Sequence, residues 1–261
     1  MAIRLALLCL PLLAGCTMDI GPSPETQRLS FNLQQQSSAP GKTLRDISAA
    51  QLLPGDLLFS SSLGLTSLGI RLFSTSSVSH VALYIGNGQV AEAVGDGVQI
   101  VTLDEAMAHS DKLFALRVAD LSPEQGLAIT QFAHDKKDSR YNYSGIVEMV
   151  PFMLTKQLCS LNPFSRDFRR QCVEGLASAQ LSTPDGRARD SYFCSEFVTA
   201  AYAAAGRPLT LAESGWVSPS DLMHMRTGDV ATLAPEQPLE YIGHLKQGIY
   251  LKAKRFAMLG Q

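Results

Sequence analysis

Three strand-like segments that follow one another along the chain constrain its fold more than any other feature. They span residues 79–86, 89–94 and 97–101, and Asn87–Gly88 separates the first two. Asn-Gly is the strongest short-range signal of a β-hairpin. Strands joined this closely pair antiparallel, because a parallel pair needs a long crossover connection. The sequence therefore predicts an antiparallel sheet, to which the alternating segment 113–118 adds another strand.

Helix signals occur on both sides of these strands in the chain. Ser122 and Gln125 form a predicted capping box with Pro123 at the first helical position, and this helix should reach about residue 137. Another predicted helix starts at Cys194 and stops at Gly206. Shorter predicted elements are helices at 46–53, 103–109 and 218–224, and strands at 56–60, 241–243 and 249–252. The combination indicates an α+β domain.

Two reactive side chains fall on these elements. His80 opens its strand, and Cys194 stands on the first turn of its helix. A helix N-terminus carries partial positive charge, which favours a thiolate over a thiol. An imidazole can accept the thiol proton and later donate it to a leaving group. Taken singly, His80 would be a core histidine and Cys194 a small buried apolar side chain, but together they indicate a cysteine hydrolase.

The N-terminus has the pattern of a targeting segment. Residues 1–15 carry Arg4 ahead of an apolar stretch that is too short for a permanent membrane span. They lead into Leu13-Ala14-Gly15-Cys16, which resembles the bacterial lipobox. That resemblance implies thioether lipidation of Cys16, with fatty acids such as palmitate, and then cleavage before it. By resemblance to sorted lipoproteins, Thr17 favours the periplasmic face of the outer membrane. An ordinary secretory signal with an incidental cysteine is the alternative.

The rest of the chain divides into a tether and one domain. Residues 16–43 are polar and without periodicity, which predicts a flexible tether. Residues 44–261 are enough for one core, with an insert at about 145–190. In an oxidising envelope Cys159 and Cys172 are the natural disulfide pair, unless both are reduced and buried.

Several kinds of partner are not expected. Neither CxxC nor HxxxH spacing occurs, so the sequence predicts no metal site and no cofactor. The net charge is −2 and the basic clusters are short, so there is no nucleic-acid footprint. The sequence leaves the oligomeric state open.

Four motifs together resemble one group of peptidases. Segments 53–59, 79–88 and 90–93 look like the strand block of NlpC/P60 peptidases, and 192–198 looks like their cysteine helix. In most of those peptidases the cysteine helix comes first. Here it follows the strands, an order similar to the circularly permuted, papain-like YaeF/YiiX branch. The resemblance runs over about 53–222 and implies a permuted papain-like fold, with the antiparallel sheet packed against the helix of the nucleophile.

The same resemblance implies roles for individual residues. Cys194 would be the nucleophile, His80 the base, and Glu92 the residue that orients the imidazole; glutamate there matches the branch, whereas unpermuted members commonly have histidine. Amide nitrogens at the start of the cysteine helix, including Ser195, are candidates to stabilise an oxyanion. The Tyr141 hydroxyl is a further candidate, and a core aromatic is an equal alternative.

Glu92 can reach His80 in only one strand register. A two-residue turn at Asn87–Gly88 would place Glu92 opposite Leu83, on the face away from His80. A three-residue loop would place it opposite Ala82, on the same face as His80. The catalytic interpretation therefore requires the second register, and a solvated strand carboxylate is the alternative.

Three functions are compatible with the sequence. The first is an amidase or peptidase that acts through a covalent acyl-enzyme, with peptidoglycan peptides as a candidate substrate. The second is a lipid-directed acylhydrolase or acyltransferase, for which the apolar segments 63–73 and 146–154 could line a cleft. The third is a binding lipoprotein without catalysis. The expected partners are thus a peptide, amide or lipid substrate and, through Cys16, a membrane.

Overall fold

The structure is a computed structural model that describes residues 16–22, 28–35, 37–40, 44–61, 77–159, 165–181, 191–249 and 251–253. Its strands are β1 Cys16–Pro22, β2 Leu29–Gln35, β3 Leu57–Ser61, β4 His80–Gly86, β5 Gln89–Val94, β6 Gly97–Thr102, β7 Lys112–Val118, β8 Arg140–Tyr141, β9 Ser191–Tyr192 and β10 Leu239–Lys246. Its α-helices are α1 Leu103–Ala108, α2 Pro123–Asp135, α3 Tyr143–Cys159, α4 Arg166–Gln180, α5 Cys194–Ala204 and α6 Pro219–Met223. Residues 1–15, which the sequence predicts to be a targeting segment, and the apolar segment 63–73 lie outside the described residues.

The central element is a six-stranded sheet in the order β10-β7-β3-β4-β5-β6. Every neighbouring pair in it is antiparallel. Strands β4, β5 and β6 are consecutive and adjacent, as their short turns predict. An antiparallel sheet with separate helices confirms the α+β prediction.

Each face of the sheet has its own apolar cluster. On one face Leu57 and Leu83 belong to the larger cluster, which includes Phe197 of α5. On the other face Leu58 and Val90 belong to a smaller cluster covered by α1. Alternate residues of one strand therefore belong to different cores, as the two-residue period of a strand requires.

Local signals place the helices well. At the start of α2, the Ser122 hydroxyl accepts a hydrogen bond from the Gln125 amide at 3.3 Å, and the Gln125 side chain accepts one from the Ser122 amide at 3.0 Å. The helix ends at Asp135, two residues short of the predicted end. Among the described residues, none of the helices has both the length and the apolarity needed to cross a bilayer.

Two predicted terminal elements are wrong. In place of a helix over 46–53 there is a single 3-10 turn, Ala49–Gln51, because the preceding backbone pairs with β10 instead. The Ile47 amide donates to the His244 carbonyl at 2.9 Å, and the His244 amide donates to the Arg45 carbonyl at 2.7 Å. The predicted strand over 249–252 is helical wherever it is described.

The insert predicted at about 145–190 contains a pair of helices, α3 and α4. Cys159 and Cys172 form a disulfide between them, with their Cα atoms 5.7 Å apart. Lys156 of α3 forms an ion pair with Asp221 of α6, at 2.7 Å between Nζ and Oδ2. The pair of helices is thereby fastened both internally and to the domain.

The segment predicted as a tether contains two short strands. β1 and β2 pair antiparallel, from Cys16 opposite Gln35 to Pro22 opposite Leu29. Beyond them, the Arg226 guanidinium donates to the carbonyls of Ser37 and Ser38, both at 3.2 Å. The C-terminal end of this segment is therefore held against the domain.

Candidate active site

His80 is the first residue of β4 and lies at the end of a central strand. Its strand neighbour in β3 is Ser60. The imidazole Nε2 lies 2.8 Å from Glu92 Oε2. The two side chains are 22% and 13% exposed, respectively, so the pair is largely shielded from solvent.

A β-bulge produces the register that this contact requires. Asn87 and Gly88 form a two-residue turn, with φ values of 52° and 70°, as in the type I′ turn that suits a hairpin. Gly86 pairs with Gln89, but beyond the bulge Tyr84 pairs with Val90. The extra residue in β4 shifts the pairing by one position.

That shift determines on which face Glu92 lies. Past the bulge Leu83 pairs with Ala91, so Glu92 falls opposite Ala82. This is the register that the catalytic interpretation needs. It arises from a tight turn and a bulge together, and not from the three-residue loop expected from the sequence.

Cys194 begins α5 and is 2% exposed. Cys194, His80 and Glu92 line one cleft of about 430 Å³. The Cys194 side chain lies close enough to the imidazole to raise the pKa of His80. Because Nε2 faces Glu92, Nδ1 is the ring nitrogen that remains for the sulfur.

The negative charges of Cys194 and Glu92, which lie on either side of His80, favour a protonated imidazole. Burial alone would lower the pKa of His80, but hydrogen bonds to Cys194 and Glu92 and the negative charges there raise it to about 10. Burial alone would raise the pKa of Glu92, but the hydrogen bond and charge of His80 lower it, as does a hydrogen bond from Gln99. The imidazolium and the carboxylate therefore stabilise each other.

Gln99 is a residue that sequence reasoning missed. Its Nε2 donates to Glu92 Oε1 at 3.0 Å, so both carboxylate oxygens have a partner. Gln99 pairs directly with Glu92 across β5 and β6. The two-residue turn at Gly95–Asp96 pairs Val94 with Gly97, so the same register pairs Glu92 with Gln99. Gln99 could therefore have been identified from the sequence.

A second missed contact holds the start of α5. Glu196 is 1% exposed, and its Oε2 accepts hydrogen bonds from the Phe193 amide at 3.2 Å and from Asn142 Nδ2 at 2.9 Å. A carboxylate in the first helical turn interacts favourably with the helix dipole. It thus fixes the helix start next to Cys194.

The two predicted oxyanion candidates have different surroundings. Tyr141 lines the cleft; burial raises its pKa, and negative charge at Cys194 raises it further, so the phenol keeps its proton and can donate a hydrogen bond. The Ser195 side chain is fully buried and donates to the Val217 carbonyl at 2.7 Å. Its hydroxyl is therefore engaged elsewhere, and only its backbone amide belongs to the helix start.

The remaining residues that line the cleft include both polar and apolar side chains. Ser79, Gln99 and His109 lie among the polar lining residues, whereas Leu58, Val90 and Leu113 are apolar. His109 is exposed and also borders the cleft. Within the described residues, no group of three or more histidine, cysteine or acidic side chains could hold a metal ion.

Comparisons with known proteins identify the relatives of the chain. A family described as permuted papain-like amidase enzymes, YaeF/YiiX, C92 family, matches residues 51–160. The chain is 60% identical to the probable lipoprotein peptidase YaeF of Escherichia coli K12, over 98% of this chain and 96% of that protein. It is also similar to the crystal structure of the metalloprotein yiiX from Escherichia coli O157:H7, with 19% identity and a TM-score of 0.44, over 76% of this chain and 99% of that one.

Proposed function

The chain belongs to the YaeF/YiiX, C92 family of permuted papain-like amidases, and from that premise we propose that it is a lipid-anchored cysteine hydrolase that cleaves amide bonds through a covalent acyl-enzyme. Cys194 is the nucleophile, His80 the general acid and base, and Glu92 the residue that orients the imidazole. The observation that carries the proposal is the position of His80, which lines the same cleft as Cys194 and whose Nε2 lies 2.8 Å from Glu92 Oε2.

In the acylation step the Cys194 sulfur attacks the amide carbonyl carbon. The carbonyl π electrons move to oxygen, and a C–S bond forms. His80 then donates its proton to the amide nitrogen as the C–N bond breaks. The products are a thioester on Cys194 and a free amine.

The oxyanion of the tetrahedral intermediate needs hydrogen-bond donors. We assign this role to the Tyr141 hydroxyl and to amide nitrogens at the start of α5. Tyr141 fits because its phenol stays protonated next to Cys194. Donors placed where charge develops lower the barrier more than they stabilise the substrate.

In the deacylation step His80, now neutral, takes a proton from water. The resulting hydroxide attacks the thioester carbonyl, the C–S bond breaks, and the carboxylic acid leaves. The sulfur and the imidazolium return to their starting states. Glu92 holds the same ring orientation throughout because its Oε2 lies at hydrogen-bond distance from Nε2.

Alkylation of Cys194 tests the proposed dyad. Iodoacetamide should modify wild-type Cys194 at an appreciable rate even near about pH 6, because helix N-termini and neighbouring imidazolium groups favour thiolate. His80→Ala should move this rate profile to higher pH. His134→Ala, which changes an exposed histidine on α2, is the matched control and should behave as wild type. Coinciding profiles for all three folded proteins would refute the dyad.

The location of the enzyme rests on separate support. The lipobox ends at Cys16, and the 60% identical relative is named a lipoprotein. We assign the protein to the periplasmic face of the outer membrane because Thr17 follows the acylated cysteine. Peptides of peptidoglycan are then amide substrates within its reach.

A lipid ester or amide is the second candidate substrate. It is favoured by the half-buried apolar residues Val94 and Ala106 in the lining of the cleft. Incubation with peptidoglycan fragments and, separately, with phospholipid vesicles discriminates the two. The mass of the acyl group trapped on Cys194 identifies the substrate class.

A further inference from the structure

The outer face of α3 is apolar. Val147, Leu154 and Leu158 are 71%, 50% and 66% exposed, and Pro151 between them is exposed as well. Spacings of four, three and four residues place all four side chains on one side of a helix. We call these four residues the α3 stripe. It extends over twelve residues, and the eleven steps between the first and the last span about 16 Å along the helix axis.

The stripe is not part of the core. The opposite side of α3 supplies the core with Met149, Phe152 and Met153, all buried. The neighbouring helix α4 provides a comparison, because four exposed residues have the same spacing on it, and all four are polar: Asp167, Gln171, Glu174 and Ser178. Helices that pack on one side normally expose polar residues, so the apolar outer face of α3 indicates a contact surface.

This surface has a fixed position on the domain. The Cys159–Cys172 disulfide joins α3 to α4. Lys156, which lies between Leu154 and Leu158 in the sequence, is paired with the buried Asp221 of α6. The stripe therefore cannot reorient without breaking a covalent bond or a largely buried ion pair.

Helix α3, which carries the stripe, begins at the catalytic cleft. Tyr143, the first residue of α3, is 62% exposed and lines the cleft together with Tyr141. Its hydroxyl donates to the Gly95 carbonyl at 2.9 Å, which ties the start of α3 to the edge of the sheet. Whatever covers the stripe will lie next to the opening of the cleft.

We propose that the α3 stripe docks the domain onto the lipid bilayer, so that the cleft opens next to the membrane surface. The proposal rests on the lipid anchor proposed above. From Cys16 to the carbonyl of Ser37 held by Arg226, the chain can span at most about 75 Å. The domain is thus confined near the bilayer, where a small apolar surface suffices because its effective concentration is high.

The size of the stripe favours lipid over a second copy of the chain. One helix is about 10 Å wide, so the stripe presents on the order of 160 Å², whereas a stable protein interface buries about 800 Å² per partner. A bilayer needs no complementary shape, and an apolar helix face can enter the headgroup region directly. The anchor then retains the protein, and the stripe determines its orientation.

Photocrosslinking to lipid tests this proposal. The lipidated mature chain, which begins at Cys16, is purified from membranes. It is reconstituted into vesicles of phosphatidylethanolamine and phosphatidylglycerol that contain a phospholipid with a diazirine in its acyl chain. Mass spectrometry of the peptides locates the crosslinked lipid, and it also measures the mass of the lipid on Cys16 in the same sample. Two triple variants are compared with wild type: Val147→Ser with Leu154→Ser and Leu158→Ser, and, as a control at other exposed apolar positions, Leu127→Ser with Leu211→Ser and Ile249→Ser.

Trypsin cleaves after Arg140 and after Lys156, so most of the stripe lies in the peptide 141–156. Label should appear on this peptide in wild type and in the control. It should fall by about fivefold or more in the stripe variant, whose fold is verified by the disulfide and by unchanged alkylation of Cys194. If lipidated wild type carries no label on 141–156, or if the stripe variant keeps its label, the proposal that the stripe docks onto the bilayer is wrong. Neither result would contradict the proposed lipid anchor or the proposed hydrolase activity. A crosslink from this peptide to a second copy would overturn it in favour of self-association. A chain without lipid on Cys16 would remove the premise, and with it the proposal.

Discussion

The proton on His80 provides the sharpest quantitative test of the proposed site. Burial would lower the pKa of this histidine, yet hydrogen bonds to Cys194 and Glu92 raise it to about 10. The substitution Glu92→Gln keeps the size of the side chain and its carbonyl acceptor while removing the charge. The pKa of His80 should therefore fall.

The size of the expected pKa decrease follows from the contact between His80 and Glu92. An opposite charge within hydrogen-bond distance shifts a pKa by about one to three units, and here the separation is 2.8 Å with both side chains mostly shielded from solvent. We expect a decrease of about two units, which corresponds to about 3 kcal/mol. In the variant, Cys194 still raises the pKa of His80, so only part of the upward shift is lost.

The assay is a proton NMR titration of the histidine rings in the full chain. There are five histidines, and the loss of one resonance in His80→Ala identifies the signal of interest. His134, exposed on α2, serves as an internal control whose titration should not move. If the His80 signal titrates at the same pH in wild type and in Glu92→Gln, the carboxylate does not stabilise the imidazolium and the proposed role of Glu92 is wrong.

The same shift makes stability depend on pH. Because the pKa of His80 is raised from 6.5 to about 10 on folding, the protonated ring stabilises the fold fully below about pH 6.5, and this contribution is lost as the pH rises through about 10. Over the interval between them the urea midpoint of wild type should fall with pH. In Glu92→Gln the decline should end about two pH units earlier.

Three further outcomes can be measured independently. Tyr141→Phe should lower kcat/KM by about 100-fold or more but leave alkylation of Cys194 by iodoacetamide unchanged, since alkylation forms no oxyanion; equal losses in both would argue for a merely structural phenol. Replacing Cys159 and Cys172 by serine opens a loop with a sequence separation of 13 and should lower the free energy of unfolding by about 3 kcal/mol, measured by urea titration; an unchanged midpoint would contradict this. Cys16→Ser should abolish metabolic labelling with a palmitate analogue, and equal labelling of both chains would end the lipoprotein assignment.

Elements with strong local signals were predictable from sequence. The turn at Asn87–Gly88 and the capping box at Ser122 act through adjacent residues, so their patterns identify β4, β5 and the start of α2. Elements determined by distant contacts were not predictable. Residues 45–47 pair with β10, about two hundred positions away, and no local pattern shows this pairing.

The insert illustrates a different difficulty. Helix α3 contains Pro151 in its interior, and proline removes a backbone donor and usually ends a helix. Its apolar residues lie on both sides, so the sequence lacks the one-sided period that identifies an amphipathic helix. The apolar character of 146–154 was evident, but its helical form depends on packing against α4 and on the disulfide.

The contact between His80 and Glu92 depends on the backbone of a single residue. Sequence reasoning showed which register the site needs, and it linked that register to loop length. The structure instead combines the two-residue turn with a bulge between Tyr84 and Gly86. A bulge has only a weak sequence signal, here Gly86 with a φ of 91°. The sequence therefore shows that the site requires this register, whereas only the structure shows how the backbone produces it.

The position of Tyr141 next to Cys194 depends on a pairing that has no sequence signal at all. The two-residue strands β8 and β9 pair in parallel, Arg140 with Ser191 and Tyr141 with Tyr192. They stand at opposite ends of the insert, so this short ladder closes its base. Cys194 follows β9 by two positions, and its helix starts where the ladder ends. The insert therefore leaves and re-enters the domain at the proposed oxyanion donor and the proposed nucleophile, and the separation between these two groups depends on the ladder.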